Sequence, residues 1–191
     1  MGKQQLIVAI TGASGAAYAR LLLHTLSQEN IHIHLVASQA GKLVYNLEIG
    51  KTLEDDLPRD VSLYDSNDFT APFASGSFPS EGMVVVPCSM GTLAAIANGI
   101  SQNLIHRAAD VCLKERRRLV LVPRETPLNT IHLQNMLRLS QAGGIILPAM
   151  PGFYHQPRAV DDLVRFIVAR ILEQFHIPQD LLPSWEPARI N

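Results

Sequence analysis

The residues best suited to chemistry stand at the ends of apolar runs. Met83–Val86 is apolar and mostly β-branched, enters Pro87, and is followed at once by Cys88, Ser89, Met90, Gly91 and Thr92. Leu93–Ala97 then reads as helix. A buried strand that ends in small hydroxyl residues and a glycine, and then opens a helix, makes an anion site. The helix N-terminus carries about half a positive charge and unspent backbone N–H groups. The pattern repeats near the start of the chain: Leu6–Ile10 runs into Thr11-Gly12-Ala13-Ser14-Gly15, and a helix begins at Ala16. Taken alone, this second turn is either a tight turn or a ligand turn. Ser14 stands where a dinucleotide fingerprint has its second glycine, and no Gly-Lys-Ser/Thr follows as in a P-loop. With Ser38, which ends a third apolar run at Ile31–Ala37, and with Ser89–Thr92, it makes a coherent site for one phosphate-bearing ligand.

Arg124 and Glu125 sit between Pro123 and Pro127, so the backbone is fixed on both sides and the two side chains are held. An acid cannot help to bind an anionic phosphate, so Glu125 points to proton handling; the alternative is an ion pair that orients Arg124. Arg107 and Lys114 lie seven apart, about 10 Å along one helix face. By composition they read as part of a solvated basic face that continues through Lys114–Arg118. Cys88 has no histidine near it in sequence and reads as a small buried residue at a strand end. The pairs Asp55-Asp56 and Asp161-Asp162 lack a third carboxylate at DDxxD spacing and read as helix-start or surface carboxylates. His24, His106, His132, His155 and His176 form no ligand set, so no metal site is expected. Trp185 reads as a packing anchor.

The elements that must position these residues alternate along the chain. Strands are expected at Leu6–Ile10, Ile31–Ala37, Val61–Tyr64, Met83–Val86, Leu119–Val122 and Ile145–Leu147. Helices are expected at about Ala16–Ser27, Ala40–Glu48, Leu93–Ala97, Leu104–Arg117, Asn129–Ala142 and Val160–Phe175, the last with a clear 3.6-residue apolar period. Phe69–Ser80 reads as a long surface loop. Alternation of this kind predicts an α/β fold with a mostly parallel sheet, in which ligands sit outside the carboxyl ends of the strands at the switch point.

The chain has 191 residues, enough for one well-filled domain. Its formal charge of −1 argues against nucleic-acid binding. Two cysteines without metal-ligand spacing fit a reducing cytoplasm. The apolar N-terminal run is too short for a signal peptide or a membrane span. Only 17% of residues are charged, and the aromatic loop Phe69–Phe78 and apolar tail Ile177–Trp185 are surfaces a monomer rarely exposes together, so an oligomer is expected.

The segments TGASGA, ASQAGK, APFASGS, VVPCSMGTLAAIANG, NLIHRAADVCLKERRRLVLVPRETP, IHLQNMLRLSQAGGIILPAMPGFYHQP and IPQDLLPSWE together resemble the UbiX-type flavin prenyltransferases. The resemblance covers nearly the whole chain and is weakest between Lys51 and Asp68. It implies a three-layer Rossmann/flavodoxin-like fold, with residues 1–191 as a single flavoprotein domain and 177–191 as a tail on a neighbouring subunit. It implies FMN as cofactor, a dodecamer with active sites between subunits, and transfer of a dimethylallyl group from dimethylallyl phosphate to N5 and C6 of reduced FMN without metal. The prenylated FMN would serve a UbiD-type decarboxylase acting on ubiquinone precursors or on aromatic acids. By position, FMN binding falls to Gly12, Ala13, Ser14, Ser38, Ser89, Met90, Gly91, Thr92 and Arg124. Prenyl-phosphate binding falls to Lys114, Arg124, Tyr154 and Arg170, with Arg107 nearby and Phe69, where some members have Trp, as a pocket wall. Ser14, Glu48, Glu125 and Lys114 take the catalytic positions. Two other readings compete: a flavin-dependent cysteine decarboxylase of the same superfamily, and a carrier that delivers FMN without chemistry.

Overall fold

The computed structural model describes residues 2–182. Six strands, β1 (Gln4–Ile10), β2 (Ile31–Ala37), β3 (Val61–Tyr64), β4 (Gly82–Cys88), β5 (Arg118–Pro123) and β6 (Ile145–Ile146), form one sheet in the order β3-β2-β1-β4-β5-β6. Every neighbouring pair is parallel. The central strands are apolar along their whole length because both of their faces are covered: all seven residues of β4 are buried.

Six α-helices supply the cover. They are α1 (Ala16–Leu26), α2 (Gln39–Ile49), α3 (Met90–Ala97), α4 (Leu104–Lys114), α5 (Thr130–Gln141) and α6 (Val160–Gln174). Sheet residues pointing one way pack with Leu22, Leu23 and Leu26 of α1 and with Val164, Ile167, Val168 and Ile171 of α6. Residues pointing the other way pack with Leu93 of α3, Ala108 and Cys112 of α4, and Leu139 of α5. The result is the three-layer α/β sandwich that alternation predicts.

The order of the strands positions the site. From β1 the chain steps outward to β2 and β3, then crosses back to β4 and continues to β5 and β6 on the other side. The switch point therefore lies between β1 and β4. Those two strands deliver Thr11–Gly15 and Cys88–Thr92 to the same rim.

Three expectations change. Phe69–Ser80 is not simply a surface loop. It contains a short 3₁₀ turn at Pro72–Ala74, and Ala71 and Phe73 are buried. Phe73 and Phe78 pack edge-on to the His34 ring, and Phe73 also meets Tyr64, which draws the segment onto the β2–β3 side of the sheet. Asp56 is not a surface carboxylate, since its side chain is only 4% exposed and is surrounded by Arg20, Tyr45 and Lys51. The start of the C-terminal tail also packs on its own chain: Ile177 and Leu182 are buried, Ile177 within the α1–α6 core. Trp185 and the expected contact of the tail with a neighbouring subunit lie outside the described residues from 183 onward. Asp162, by contrast, takes the helix-start role, accepting from the Arg158 and Ala159 amides at 2.8 and 3.1 Å.

Candidate active site at the switch point

Of the helices that begin at this rim, α1, α2 and α3 satisfy their first turns differently. The turn into α1 ends at Gly15, whose φ of 125° is a conformation that favours glycine. No side chain of the turn itself caps the helix. The cap comes from Glu48, near the end of α2. Its Oε2 accepts from the Gly15 amide at 2.9 Å and the Ala16 amide at 2.7 Å. Burial pushes the Glu48 carboxyl upward. Hydrogen bonds from the Ser14 hydroxyl and from the Gly15 and Ala16 amides, with the charge of Arg124, outweigh it and hold the group below the ordinary carboxylate range. The Arg124 Nε donates to the Ser14 carbonyl at 3.2 Å, and its Nη groups make no hydrogen bond or ion pair among the described residues.

α2 and α3 carry their own caps. Ser38 Oγ accepts from the Gly41 amide at 3.0 Å, and Ser89 Oγ accepts from the Thr92 amide at 3.3 Å. The Met90 and Gly91 amides, in the first turn of α3, have no intrahelical acceptor. Gly91 is exposed, and a Cβ there would meet nothing within 4 Å. The two switch-point turns are stitched by Thr11, which composition alone does not single out. Its Oγ1 donates to the Pro87 carbonyl at 2.9 Å and accepts from the Ser89 amide at 2.7 Å, fully buried. Gly12 is required by close approach, because a Cβ there would fall 2.6 Å from the Ala40 Cβ. This donor set suits a phosphate ester: small residues let the backbone approach, and unspent amides face outward.

Tyr18, one turn into α1, is a second residue that motif reading misses. Its ring lies over Gly15. Burial raises its phenol above the ordinary value, against the charge of Arg124 and together with that of Glu48. Its only signal in the sequence is an aromatic residue in the first turn of α1. Cys88 is buried, and burial pushes its thiol up to about 12, as for a packed strand-end residue.

Beyond β5, Arg124 and Glu125 reach the rim, but they do not pair. Arg124 goes to the Ser14 carbonyl, and Glu125 Oε1 accepts from the Thr126 amide at 3.0 Å. Ala149 donates to the Pro123 carbonyl at 3.0 Å, which brings the segment after β6 alongside. Tyr154 lies exposed on this segment, its ring centroid 5.7 Å from that of Phe166. Arg170 is one turn further along α6, paired with Glu173, beside a cavity of about 310 Å³ whose lining includes Met150 and Phe166.

Arg107 and Lys114 are not brought to this cluster. α4 runs down from the rim, so Lys114 lies close to Arg118, the first residue of β5, whereas Arg124 follows the last. Six strand residues span about 20 Å, too far for Lys114 and Arg124 of one chain to hold the same phosphate. Arg107 Nε donates to the Ala74 carbonyl at 3.0 Å and its Nη1 pairs with Asp110, while Lys114 pairs with Glu115. Phe69, half exposed, stands by the start of α4, whose Leu104 amide donates to the Ser66 carbonyl. Among the described residues, no three His, Cys, Asp or Glu side chains gather in a way that could hold a metal ion, and no helix is long and apolar enough to cross a membrane.

A parallel sheet with capped helix starts at its switch point is the general form of a mononucleotide-binding α/β protein. The Flavoprotein family model matches residues 1–172. The flavin prenyltransferase UbiX of Pseudomonas aeruginosa is 50% identical over 96% of this chain and 95% of its own. The crystal structure of AnUbiX (PadA1) in complex with FMN and dimethylallyl pyrophosphate superposes with a TM-score of 0.92, at 43% identity, over 96% of this chain and 98% of that one. A dodecameric FMN-dependent UbiX-like decarboxylase from Escherichia coli O157:H7 gives 0.91 at 46% identity, over 96% and 100%. The chain belongs to the Flavoprotein family and, within it, to the UbiX flavin prenyltransferases.

Proposed function

We propose that this chain is a flavin prenyltransferase that moves the dimethylallyl group of dimethylallyl phosphate onto N5 and C6 of reduced FMN. The observation that carries this is the meeting, at one switch point, of an open serine-capped helix start with the Glu48–Ser14–Arg124 cluster. A carrier needs only the first. When bound, reduced FMN supplies two electron-rich ring positions to the allylic carbon.

The residues divide the remaining work. Ser38 and the Ser89–Thr92 turn would hold the FMN phosphate, with Gly12, Ala13 and Ser14 along the flavin edge. The departing phosphate becomes an anion at the moment of reaction, and fixed cations and donors must meet that charge. Arg124 offers its unspent Nη groups, and Tyr154 and Arg170 stand on the β6–α6 flank of the same chain. Lys114 can join only from a second copy, because its own chain carries it at the opposite end of the sheet; Arg107, in the first turn of α4, is spent on the Ala74 carbonyl and Asp110. The reading therefore includes a homo-oligomer with sites between subunits, a dodecamer as in the E. coli relative. Phe69 would wall the prenyl pocket and shield cationic character on the allyl group. Ring closure releases a proton, for which Glu125 and the Ser14–Glu48 pair are the available groups. The product would pass to a UbiD-type decarboxylase in the cytoplasm.

The test is anaerobic mixing of protein, reduced FMN and dimethylallyl phosphate in the presence of a chelator, followed by mass spectrometry of the extracted flavin. The expected result is a flavin heavier by one dimethylallyl-derived unit, formed with chelator present. Unmodified FMN bound to active-quality protein would favour the carrier, and activity restored only by Mg²⁺ would overturn the metal-free reading.

A further inference from the structure

Asp56 is a buried acid that the chemistry above does not use. Three segments converge on it. Arg20 Nε of α1 donates to Oδ2 at 2.6 Å, Tyr45 Oη of α2 donates to the same oxygen at 2.9 Å, and Lys51 Nζ donates to Oδ1 at 3.1 Å. Burying a carboxylate is costly unless it is paired and hydrogen-bonded. Burial pushes Asp56 up, but the bonds from Arg20, Lys51 and Tyr45 hold it well below the ordinary range.

What the cluster joins gives it a consequence. Arg20 is four residues beyond Ala16 on α1, and Tyr45 is three before Glu48 on α2. The clamp therefore lies one helical turn, about 5.4 Å, from the point where Glu48 crosses from α2 to the start of α1. Apolar packing gives α2 little other hold. It buries only Gly41 and Tyr45, while Leu43 and Leu47 are exposed.

We infer that Asp56 is a positioning residue for the prenyl transfer: it fixes α1 against α2 so that the Glu48 carboxylate reaches the Ser14 hydroxyl and the Gly15 and Ala16 amides. The inference rests on the proposed role of Glu48 in that reaction. The groups facing Glu48 are Ser14, the two amides, Arg124 and Tyr18, and those facing Asp56 are Arg20, Tyr45 and Lys51.

The experiment compares Asp56→Asn and Tyr45→Phe with Glu48→Gln and the unchanged protein. Tyr45→Phe removes one hydrogen bond and keeps the packing, so it decides the matter if Asp56→Asn does not fold. Three quantities are measured: FMN affinity, the single-turnover rate of flavin prenylation, and the pH at which the Glu48 carboxyl titrates, read by isotope-edited infrared spectroscopy on FMN-free protein. Misplacing a catalytic group by about 1 Å costs up to about 10²-fold. The Asp56→Asn rate should fall by about 10–10²-fold with FMN affinity within about threefold of the original. Its Glu48 titration should move upward, because the donors that depress it are lost. Tyr45→Phe should move both readouts the same way, by less. An unchanged rate and titration with only a lower melting temperature would overturn the inference and leave Asp56 a purely structural residue. Glu48→Gln turning over at the original rate would overturn it through Glu48, with prenyl transfer intact. If the unchanged protein makes no prenylated flavin, the functional reading fails, and an unmoved titration then overturns the positioning role as well.

Discussion

The turns after β1 and β4 share a sequence logic, end adjacent parallel strands and face the same rim, yet they treat their helix starts in opposite ways. α3 begins with its own serine, which takes the Thr92 amide and leaves the other early amides open. α1 begins at Gly15 with no local cap, and an acid from α2 takes the Gly15 and Ala16 amides. The first is electropositive and receptive to a phosphate. The second has already spent its donors on a carboxylate and presents negative charge beside Arg124. A helix N-terminus is thus an anion site only where the acceptor that completes it is absent from the fold.

The contrast extends to the two acids. Glu48 accepts from a hydroxyl and two amides and is held ionised, whereas Glu125 accepts from the adjacent Thr126 amide. A carboxylate whose lone pairs are committed to fixed donors is the poorer proton acceptor. The largest effect expected is therefore at Glu125. Glu125→Gln should slow formation of the ring-closed flavin by about 10²–10⁴-fold, the range for a lost acid–base group, with FMN affinity little changed. Single-turnover product analysis beside equilibrium FMN titration checks it. Product at the original rate would remove Glu125 from the chemistry, and loss of FMN would make it structural.

A change of pH compares this rim with the His34 cluster on the β2–β3 side. His34 bonds Tyr64 Oη at 2.9 Å and Gln5 Oε1 at 2.7 Å, and burial, with the charge of His32, lowers it to about 4. Between pH 6.5 and about 4 the unfolded chain binds a proton there that the folded chain refuses, so stability falls as pH drops through that window. The contribution of His34 at pH 4.5 is at most about 3 kcal/mol. Urea denaturation at pH 7 and 4.5 should show a smaller acid loss in His34→Gln than in the unchanged protein. Equal losses would mean that the histidine titrates normally.

The sheet and its helices are legible in the sequence because their signals are local. Uninterrupted apolar runs such as Met83–Val86 mark strands buried on both faces, and the 3.6-residue period of Val160–Phe175 marks α6. Serine caps are legible for the same reason, since Ser38 and Ser89 act within three residues of themselves. What escapes is whatever is decided by distant segments. Glu48 is 33 residues from Gly15; family resemblance gives it a catalytic position, and only the structure shows that it caps α1. Asp56 reads as a helix-start or surface acid until Arg20 and Tyr45 are seen around it. Phe73 reads as loop until His34 and Tyr64 provide the face it packs on. Lys114 and Arg124 belong to one group by resemblance, and only the direction of α4 shows that a single chain keeps them apart.

Removing the local cap tests the receptive turn directly. Ser89→Ala deletes the acceptor for the Thr92 amide and should cost about 0.5–2 kcal/mol of stability. FMN affinity should fall by about tenfold, the effect of one lost charge-assisted hydrogen bond. Ser38→Ala, at α2, should show the stability loss in the same range. Thermal melts with and without FMN separate the two terms. If Ser89→Ala binds FMN as tightly as the unchanged protein, the phosphate sits elsewhere on the rim.

The smallest expected effect is at the cysteines, and it bears on the same turn. Cys88 stands one residue before the Ser89 cap, where the positive end of α3 would ordinarily lower a thiol and make it nucleophilic. Two effects compete there, and burial prevails: the side chain is enclosed between β4 and the α3–α4 layer, its Sγ donates weakly to the Ser89 carbonyl at 3.6 Å, and the thiol is pushed up to about 12. Cys112, on the buried face of α4, is raised to about 12 by the same cause. A helix start therefore acts on groups that face the rim and remain solvated or paired, and not on a thiol packed behind it. Iodoacetamide at pH 8 should leave both thiols unmodified in the folded protein and label both once it is unfolded in urea, read by intact mass. Labelling of native Cys88 at the rate of a free thiol would show that the turn after β4 activates its cysteine, and would reopen a nucleophilic role for it.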